Sequence, residues 1–336
     1  MKVSKDCFSD EELQRFVDSS AVTDVCDVTG NRAPVVDLDD LMDFFEELVS
    51  VFEADPDHEH SLLDTVQDDW SLFANANTAR TLLEEILRRV ASPLTVDTHV
   101  CYKHEVAEVL DQWDSVKESL KGKKRFFTEI DEFATGAKML SEFITDKQDL
   151  TAGTALYRAR LIPQNKTFFR KTDMGCPPKE LTTAGRANPT GIPYLYLSQD
   201  VETTFYEIRA TYLDRLSVGK FLVGRNLKMV DFTRTRSLYF LYTVDNSVAD
   251  AIIKLKLFSA FSEDLSKPLR RFDTELEYVP TQYLCEYCKT MGADAISFNS
   301  SLHRQGVNFV LFNPEDAECV DVKKHVIRKV ILEDKS

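Results

Sequence analysis

The chain has 336 residues, 43% of them apolar, and a formal net charge of −15. That is enough material for two domains with cores of their own, while no run approaches the roughly 18 uninterrupted apolar residues of a membrane-spanning helix. The charge is lopsided: residues 1–150 carry 34 Asp and Glu against 15 Lys and Arg, and residues 151–336 carry 22 against 26. An acidic first half argues against nucleic acid and anionic membranes as partners, and a mildly basic second half suits a small anion such as a dinucleotide.

The opening MKVSKDCFSDEE has no apolar stretch behind its lysines, so no secretory signal is expected. Seven cysteines, an odd number scattered from Cys7 to Cys319, do not form a disulfide framework. Both features point to a cytoplasmic protein with reduced thiols. Ser9 and Asp10 precede EELQRFVDS, an N-cap followed by a short amphipathic helix with Leu13, Phe16 and Val17 on one face. DLDDLMDFFEELVSVFEAD repeats the pattern, with Asp37 to Asp40 in the turn where the helix dipole favours carboxylates. TARTLLEEILRRV, HEVAEVLDQWDSVKESLK and KRFFTEIDEFATGAKMLSEFIT predict further helices. Residues 1–148 therefore read as a helical bundle, with a boundary in the turn-prone DKQDLTAGT.

From residue 149 the texture changes. ALYRARL, IPYLYLS, GKFLVG, LKMVDFT, DAISF and VNFVLF are short β-branched or aromatic runs, separated by helical stretches such as VETTFYEIRATYL and PTQYLCEYCKTMG. The fold class expected is α+β in two domains, an N-terminal helical bundle at 1–148 and a mixed α/β domain at 149–336. The densest chemistry lies at 174–209, a loop with three glycines and four prolines, then a short strand, then a helix bearing Glu207. Arg186 and Asn188 sit between Gly185 and Gly191, glycines that permit close backbone approach to a ligand. Tyr196 and Glu207, eleven residues apart across a strand and a helix, can face one cleft. The alternative for Arg158 and Glu207 is a structural ion pair. Cys285 and Cys288 lie on a helix without a second ligand pair, and His303 is expected as an exposed loop residue, so no metal is expected.

Four ordered segments, LYRARL with Arg158, GRANPTGIPYLYLS with Tyr196, ETTFYEIR with Glu207 and GADAISFNSSLHRQGVNFVLFNP with Ser300, resemble the RES-domain proteins. These are named for an Arg, a Glu and a Ser that recur across the fold. The resemblance implies a fold like the ADP-ribosyltransferases and an NAD⁺ glycohydrolase or phosphorylase that cleaves the nicotinamide–ribose bond, often as a toxin or defence effector. NAD⁺ is then the substrate, with no cofactor. Arg158, Tyr196, Glu207 and Ser300 are the implied catalytic set, with Arg186, Asn188 and Ser301 as substrate contacts. Glu207 suits the oxocarbenium character that develops at the anomeric carbon, Arg158 the pyrophosphate or an incoming phosphate, and Tyr196 the nicotinamide or ribose. Asn299 stands where many members carry Pro, and Ser301 adjoins Ser300. The residues leave the acceptor open between water, inorganic phosphate and a protein side chain, and leave a nucleotide-binding pseudoenzyme as the rival class.

The N-terminal half resembles the HEPN-like helical domain that precedes some RES domains, in which two CxxC pairs are common; here SKDC and CDVT keep one cysteine each, Cys7 and Cys26. No histidine there follows an arginine at the four-to-six-residue spacing of HEPN ribonucleases. The resemblance thus implies regulation or homo-oligomerisation, alongside an antitoxin or defence-system partner.

Overall fold

The computed structural model describes residues 1–125, 148–234, 236–267 and 274–330. The chain divides into two compact units, Met1–Gln112 with Thr235–Leu257, and Trp113–Arg234 with Phe258–Ser336. The division is thus not one cut at 148/149: a stretch from the middle of the C-terminal half is counted with the first unit. The helix expected over KRFFTEIDEFATGAKMLSEFIT lies outside the described residues. Among the described residues no helix is long and apolar enough to cross a membrane.

The first unit is not a purely helical bundle. Strands β1 (Lys2–Ser4), β2 (Thr23–Val25) and β3 (Arg32–Asp37) form an antiparallel sheet in the order β1-β3-β2, and β4 (Phe52–Ala54) pairs with β5 (Val100–Tyr102). These strands are mostly three residues long, too short for a period-of-two pattern to register in the sequence. Helices α1 (Glu11–Asp18), α2 (Met42–Ser50), α3 (Leu62–Trp70) and α4 (Ala76–Arg89) begin on side-chain or turn caps. Asp10 accepts from the Glu12 and Leu13 amides, and Ser61 and Asp64 form a capping box, each cap contributing about 1 kcal/mol. Leu13 and Val17 of α1 are buried as expected, whereas Phe16 stays 38% exposed. Helix α5 (His104–Gly122) crosses from the first unit to the second at residue 112.

Cys7 and Cys26 are fully buried in this unit, their Sγ atoms 3.6 Å apart. Burial, with Cys26 beside it, pushes the Cys7 thiol up to about 12. Burial acts the same way on Cys26, but the nearby Ser4 hydroxyl and the Thr29 amide, which donates to its Sγ at 3.4 Å, outweigh it and bring that thiol down to about 7. Cys26 is thus the more acidic of the two thiols.

The second unit holds an eight-stranded sheet built from β6 (Gln148–Leu150), β7 (Ala155–Leu161), β8 (Leu195–Ser198), β9 (Arg215–Val223), β10 (Leu227–Asp231), β11 (Ala295–Asn299), β12 (Val307–Leu311) and β13 (Ala317–Val326). Its order is β13-β9-β7-β8-β12-β11-β10-β6, antiparallel throughout except for the β10–β11 pair. Strand β13, ten residues ending in the charged run VKKHV, was not expected from sequence. Four helices accompany the later strands: α6 (Val201–Glu207), α7 (Leu238–Asp245), α8 (Val248–Ser266) and α9 (Val279–Thr290). Of these, α7 and the start of α8 belong to the first unit.

Side chains alternate across a strand, so each run splits between two faces. Leu156, Leu195, Leu197, Phe221, Phe309 and Leu311 gather with Met174 and Phe169 into one buried core. The opposite face carries a transverse row, Tyr157 opposite Ser198, Ser198 opposite Asn308, and Asn308 opposite Phe298. Burying the first face forbids a one-residue slip, because a slip would send Leu197 and Phe309 out and Ser198 and Asn308 into the apolar core. The core thereby fixes the register of the polar row.

Candidate active site

Above that polar row lies a cavity of about 470 Å³, within the range of roughly 300–1,000 Å³ usual for small-molecule sites. It is lined by Arg158, Arg186, Tyr196 and Glu207, and also by Tyr157, Tyr278, Phe298 and Asn308. Glu207 is the last residue of α6, whose N-cap is Asp200, accepting from the Thr203 amide. Two turns of helix carry the carboxylate from that cap to the sheet. One oxygen, Oε1, accepts from Ser300 Oγ at 2.6 Å and from Asn308 Nδ2 at 2.7 Å. Asn308 in turn accepts from Ser198 Oγ at 2.9 Å through its carbonyl oxygen. With Oε1 occupied by two donors, Oε2 makes no hydrogen bond to the described residues and is left to the cavity.

Of the two adjacent serines, the structure brings Ser300 to Glu207. Ser300 Oγ also accepts from the Leu302 and His303 amides at 3.2 and 3.1 Å, a local turn that anchors the loop beyond it. Ser301 is exposed and lies outside the cavity.

The glycine-rich loop is held by its own side chains. Tyr196 OH donates to Asn188 Oδ1 at 2.7 Å and accepts from the Ala187 amide at 3.0 Å. Asn188 is buried, and its Nδ2 donates to the Thr183 and Pro189 carbonyls. Asn188 thereby braces the loop, with both polar atoms of its side chain bonded to neighbours. Gly185 is dictated by the same packing: a Cβ there would stand 2.6 Å from Asn188 Oδ1 and 2.8 Å from Tyr196 OH. The close approach that Gly185 permits is to the Tyr196 hydroxyl. From α9, Thr281 Oγ1 donates to the Arg186 carbonyl and Gln282 Nε2 to the Gly185 and Asn188 carbonyls.

Arg158 and Arg186 are placed differently. Arg186 donates to the Leu265 carbonyl at 2.5 Å and lies over the Phe298 ring at 5.5 Å. Burial presses its guanidinium below the ordinary range, and the Glu207 carboxylate is the foremost charge opposing that. Arg158 leaves β7 on the face of Leu156, donating to the Met174 and Gly175 carbonyls at 3.3 and 2.9 Å. It reaches the cavity beside the point where β7 and β8 share a single residue pair. Burial lowers its pKa as well. Neither arginine is ion-paired with Glu207, so the structural ion pair between Arg158 and Glu207 is not formed.

Asn308, Ser198, Tyr157, Tyr278 and Phe298 were not singled out from sequence. Asn308 had a visible signal, one amide inside the apolar run VNFVLF, and a buried polar group in a strand needs a partner. His303 is not the exposed loop residue expected: it is half-buried, its Nδ1 lies 2.8 Å from Thr203 Oγ1, and its ring stacks on Tyr206 at 4.6 Å. Gly306 permits that approach, because a Cβ would stand 2.8 Å from Thr203 Oγ1 and 2.9 Å from His303 Nδ1. Cys285 and Cys288 are buried on α9. Among the described residues no group of three or more His, Cys, Asp or Glu side chains is placed to hold a metal ion.

Two comparisons with known proteins bear on this geometry. The family model of the RES domain matches residues 155–330, more than half of the chain. Among solved structures, one chain of the M. tuberculosis MbcT–MbcA toxin–antitoxin complex is similar at 12% identity and a TM-score of 0.33, covering 57% of this chain and 93% of that one. At that agreement nothing about function follows from the likeness. No curated protein matches the sequence.

Proposed function

The chain belongs to the RES-domain family, and from that premise we propose that it cleaves the nicotinamide–ribose bond of NAD⁺. The observation that carries the reading is the Glu207 carboxylate, held through Oε1 by Ser300 and Asn308 while Oε2 is left to a cavity lined by aromatic rings and three arginines, Arg158, Arg186 and Arg209. Departure of neutral nicotinamide leaves positive charge spread over the anomeric carbon and ring oxygen. A carboxylate fixed beforehand stabilises that charge without reorganising at the moment of reaction. Tyr157, Tyr196 and Tyr278 offer flat walls for the nicotinamide ring. Because the Tyr196 hydroxyl is engaged with the loop, that residue contributes its ring. Arg186 takes the nearer phosphate of the dinucleotide, and Arg158 adds buried positive charge behind it. Ser300 acts by orienting Glu207.

Water as the acceptor gives ADP-ribose, inorganic phosphate gives a phosphorylated ADP-ribose, and a protein side chain gives an ADP-ribosylated protein. We assign residues 1–148 to regulation or oligomerisation of this activity and propose a toxin or defence role under the control of an antitoxin or other partner. Nicotinamide release from NAD⁺ by the full chain tests the reading, with product masses compared with and without phosphate. Glu207→Gln is expected to lower turnover roughly 10²–10³-fold, the usual effect of removing one preorganised electrostatic group. Ser300→Ala is expected to lower it about tenfold and Ser301→Ala to leave it unchanged. If the wild-type chain leaves NAD⁺ intact and modifies no protein with it, the proposal is wrong.

A further inference from the structure

Outside the cavity, a second polar chain ties the loop between β11 and β12 to the start of α6. Asp200, the N-cap, accepts from the Thr203 amide at 2.8 Å and from the Thr203 hydroxyl at 2.7 Å. The same hydroxyl oxygen lies 2.8 Å from His303 Nδ1. One hydroxyl has one proton, and an ionised carboxylate has none to give. Burial works to raise the Asp200 pKa, but the bonds from Thr203 outweigh it and hold it below the ordinary carboxylate value. The Thr203 proton therefore points at Asp200, and the proton between Thr203 and the imidazole sits on Nδ1.

Two further features locate the ring. It stacks on Tyr206 at an interplanar angle of 6°, which sets its plane, and Gly306 leaves the room that Nδ1 needs to reach Thr203. The loop is also closed on itself. The Ser300 amide donates to the Gly306 carbonyl, the Gly306 amide to the His303 carbonyl, and the Leu302 and His303 amides to Ser300 Oγ. It thus grips α6 at both ends, Thr203 through His303 and Glu207 through Ser300.

We propose that His303, donating from Nδ1 to Thr203, is the positioning residue that holds the 300–306 loop where Ser300 reaches Glu207. Its effect on turnover rests on the cleavage reading above. His303 lies outside the lining of the Glu207 cavity, so it acts through Ser300. A residue that merely filled the space beside Tyr206 would need a ring and no proton.

Hydrogen exchange and imidazole NMR on the full chain read this clamp without NAD⁺, and kinetics read its consequence. The neutral His303 imidazole, identified among the six histidines by its loss in His303→Phe, is expected to carry its proton on Nδ1. His303→Phe keeps the ring and deletes the donor, and Thr203→Val deletes the acceptor. The two act from opposite sides of one bond, so either reports if the other fails to fold. In each, the Leu302 and His303 amides should exchange about tenfold faster while those of β12 stay protected. Each should lower kcat for NAD⁺ roughly three- to tenfold with KM unchanged, no more than the loss of Ser300 itself. In a Ser300→Ala background neither should lower kcat further. Thr203→Ser, which keeps the hydroxyl, should recover most of the loss. A proton on Nε2, unchanged amide exchange in the variants, or kcat losses that add in full to that of Ser300→Ala would overturn the proposal. If the wild-type chain does not cleave NAD⁺, the cleavage reading fails, and the tautomer and the exchange rates decide whether His303 holds the loop.

Discussion

Asn308 is where the proposed mechanism is most exposed to refutation, because two substitutions there give opposite orders under different explanations. Its Nδ2 donates to Glu207 Oε1 at 2.7 Å, and its carbonyl accepts from the buried Ser198 hydroxyl at 2.9 Å. Asn308→Ala deletes a charge-assisted bond, about 1.5–3 kcal/mol, and releases one of the two donors that orient the carboxylate. At about 1.4 kcal/mol per decade, kcat for NAD⁺ cleavage should fall roughly 10- to 150-fold. Stability should fall too, since the Ser198 hydroxyl loses its acceptor, which costs about 1–3 kcal/mol. Asn308→Asp keeps the shape and the Ser198 bond but turns the donor into a second carboxylate. Two charges at the observed 2.7 Å repel by about 6 kcal/mol at an effective dielectric near 20, an upper bound because the side chains move apart. The expected order of activity is therefore wild type, then Ala, then Asp, with the Asp variant down by about 10³-fold or more. Nicotinamide release gives the rates, and calorimetric unfolding shows that each variant is folded. If Asn308 served only to fill space, the isosteric Asp would outperform Ala. That order would refute the role assigned here.

Two further predictions rest on separate features. Gly185→Ala places a methyl 2.6 Å from Asn188 Oδ1 and 2.8 Å from Tyr196 OH, so the bond between them must break. A loss of about 2–3 kcal/mol is expected, a Tm lower by roughly 4–10 °C, and reduced NAD⁺ turnover. Gly175→Ala, with open space at its Cβ, is the tolerated control in the same scan. In the first unit, the depressed Cys26 pKa, about 7, adds stability that is complete above the unfolded value near 9 and is lost as pH falls through 7. The raised Cys7 pKa, about 12, adds stability that is complete below 9 and is lost as pH climbs towards 12. Urea unfolding should therefore show stability rising from pH 7 to 9, by at most about 2 kcal/mol, and declining above it. Cys26→Ala should abolish the rise; a rise that survives in this variant contradicts the lowered Cys26 pKa as its source.

Much of the second unit was legible because its elements are long enough to carry a pattern. ALYRARL, LKMVDFT, DAISF and VNFVLF all lie on strands, and PTQYLCEYCKTMG lies on α9. The loop from Gly185 to Gly191 was recognisable by its composition, though the role of its residues was not. Asn188 reads from sequence as a polar residue offered to a ligand, and only the folded loop reveals its bonds to Tyr196, Thr183 and Pro189. Asn308 was missed for a related reason: its importance comes from register, and register depends on pairing between β8 and β12, over a hundred residues apart in sequence. The strands of the first unit were missed because three residues give no period to detect. His303 was judged by its polar loop, while its ring is fixed by Thr203 and Tyr206, a hundred residues earlier.

The polar row across the sheet has a temporal side. Arg186, Tyr196 and Glu207 are made close together, but the groups that grip the carboxylate, Ser300 and Asn308, follow Glu207 by 93 and 101 residues. During synthesis, which proceeds from the N-terminus, a partial chain carries its glutamate unclamped until β12 has emerged and paired with β8. If the cleavage proposed above is this chain's activity, that activity stays low until those residues have been made and paired. Such a safeguard costs no extra residues, since the order of strands along the chain supplies it.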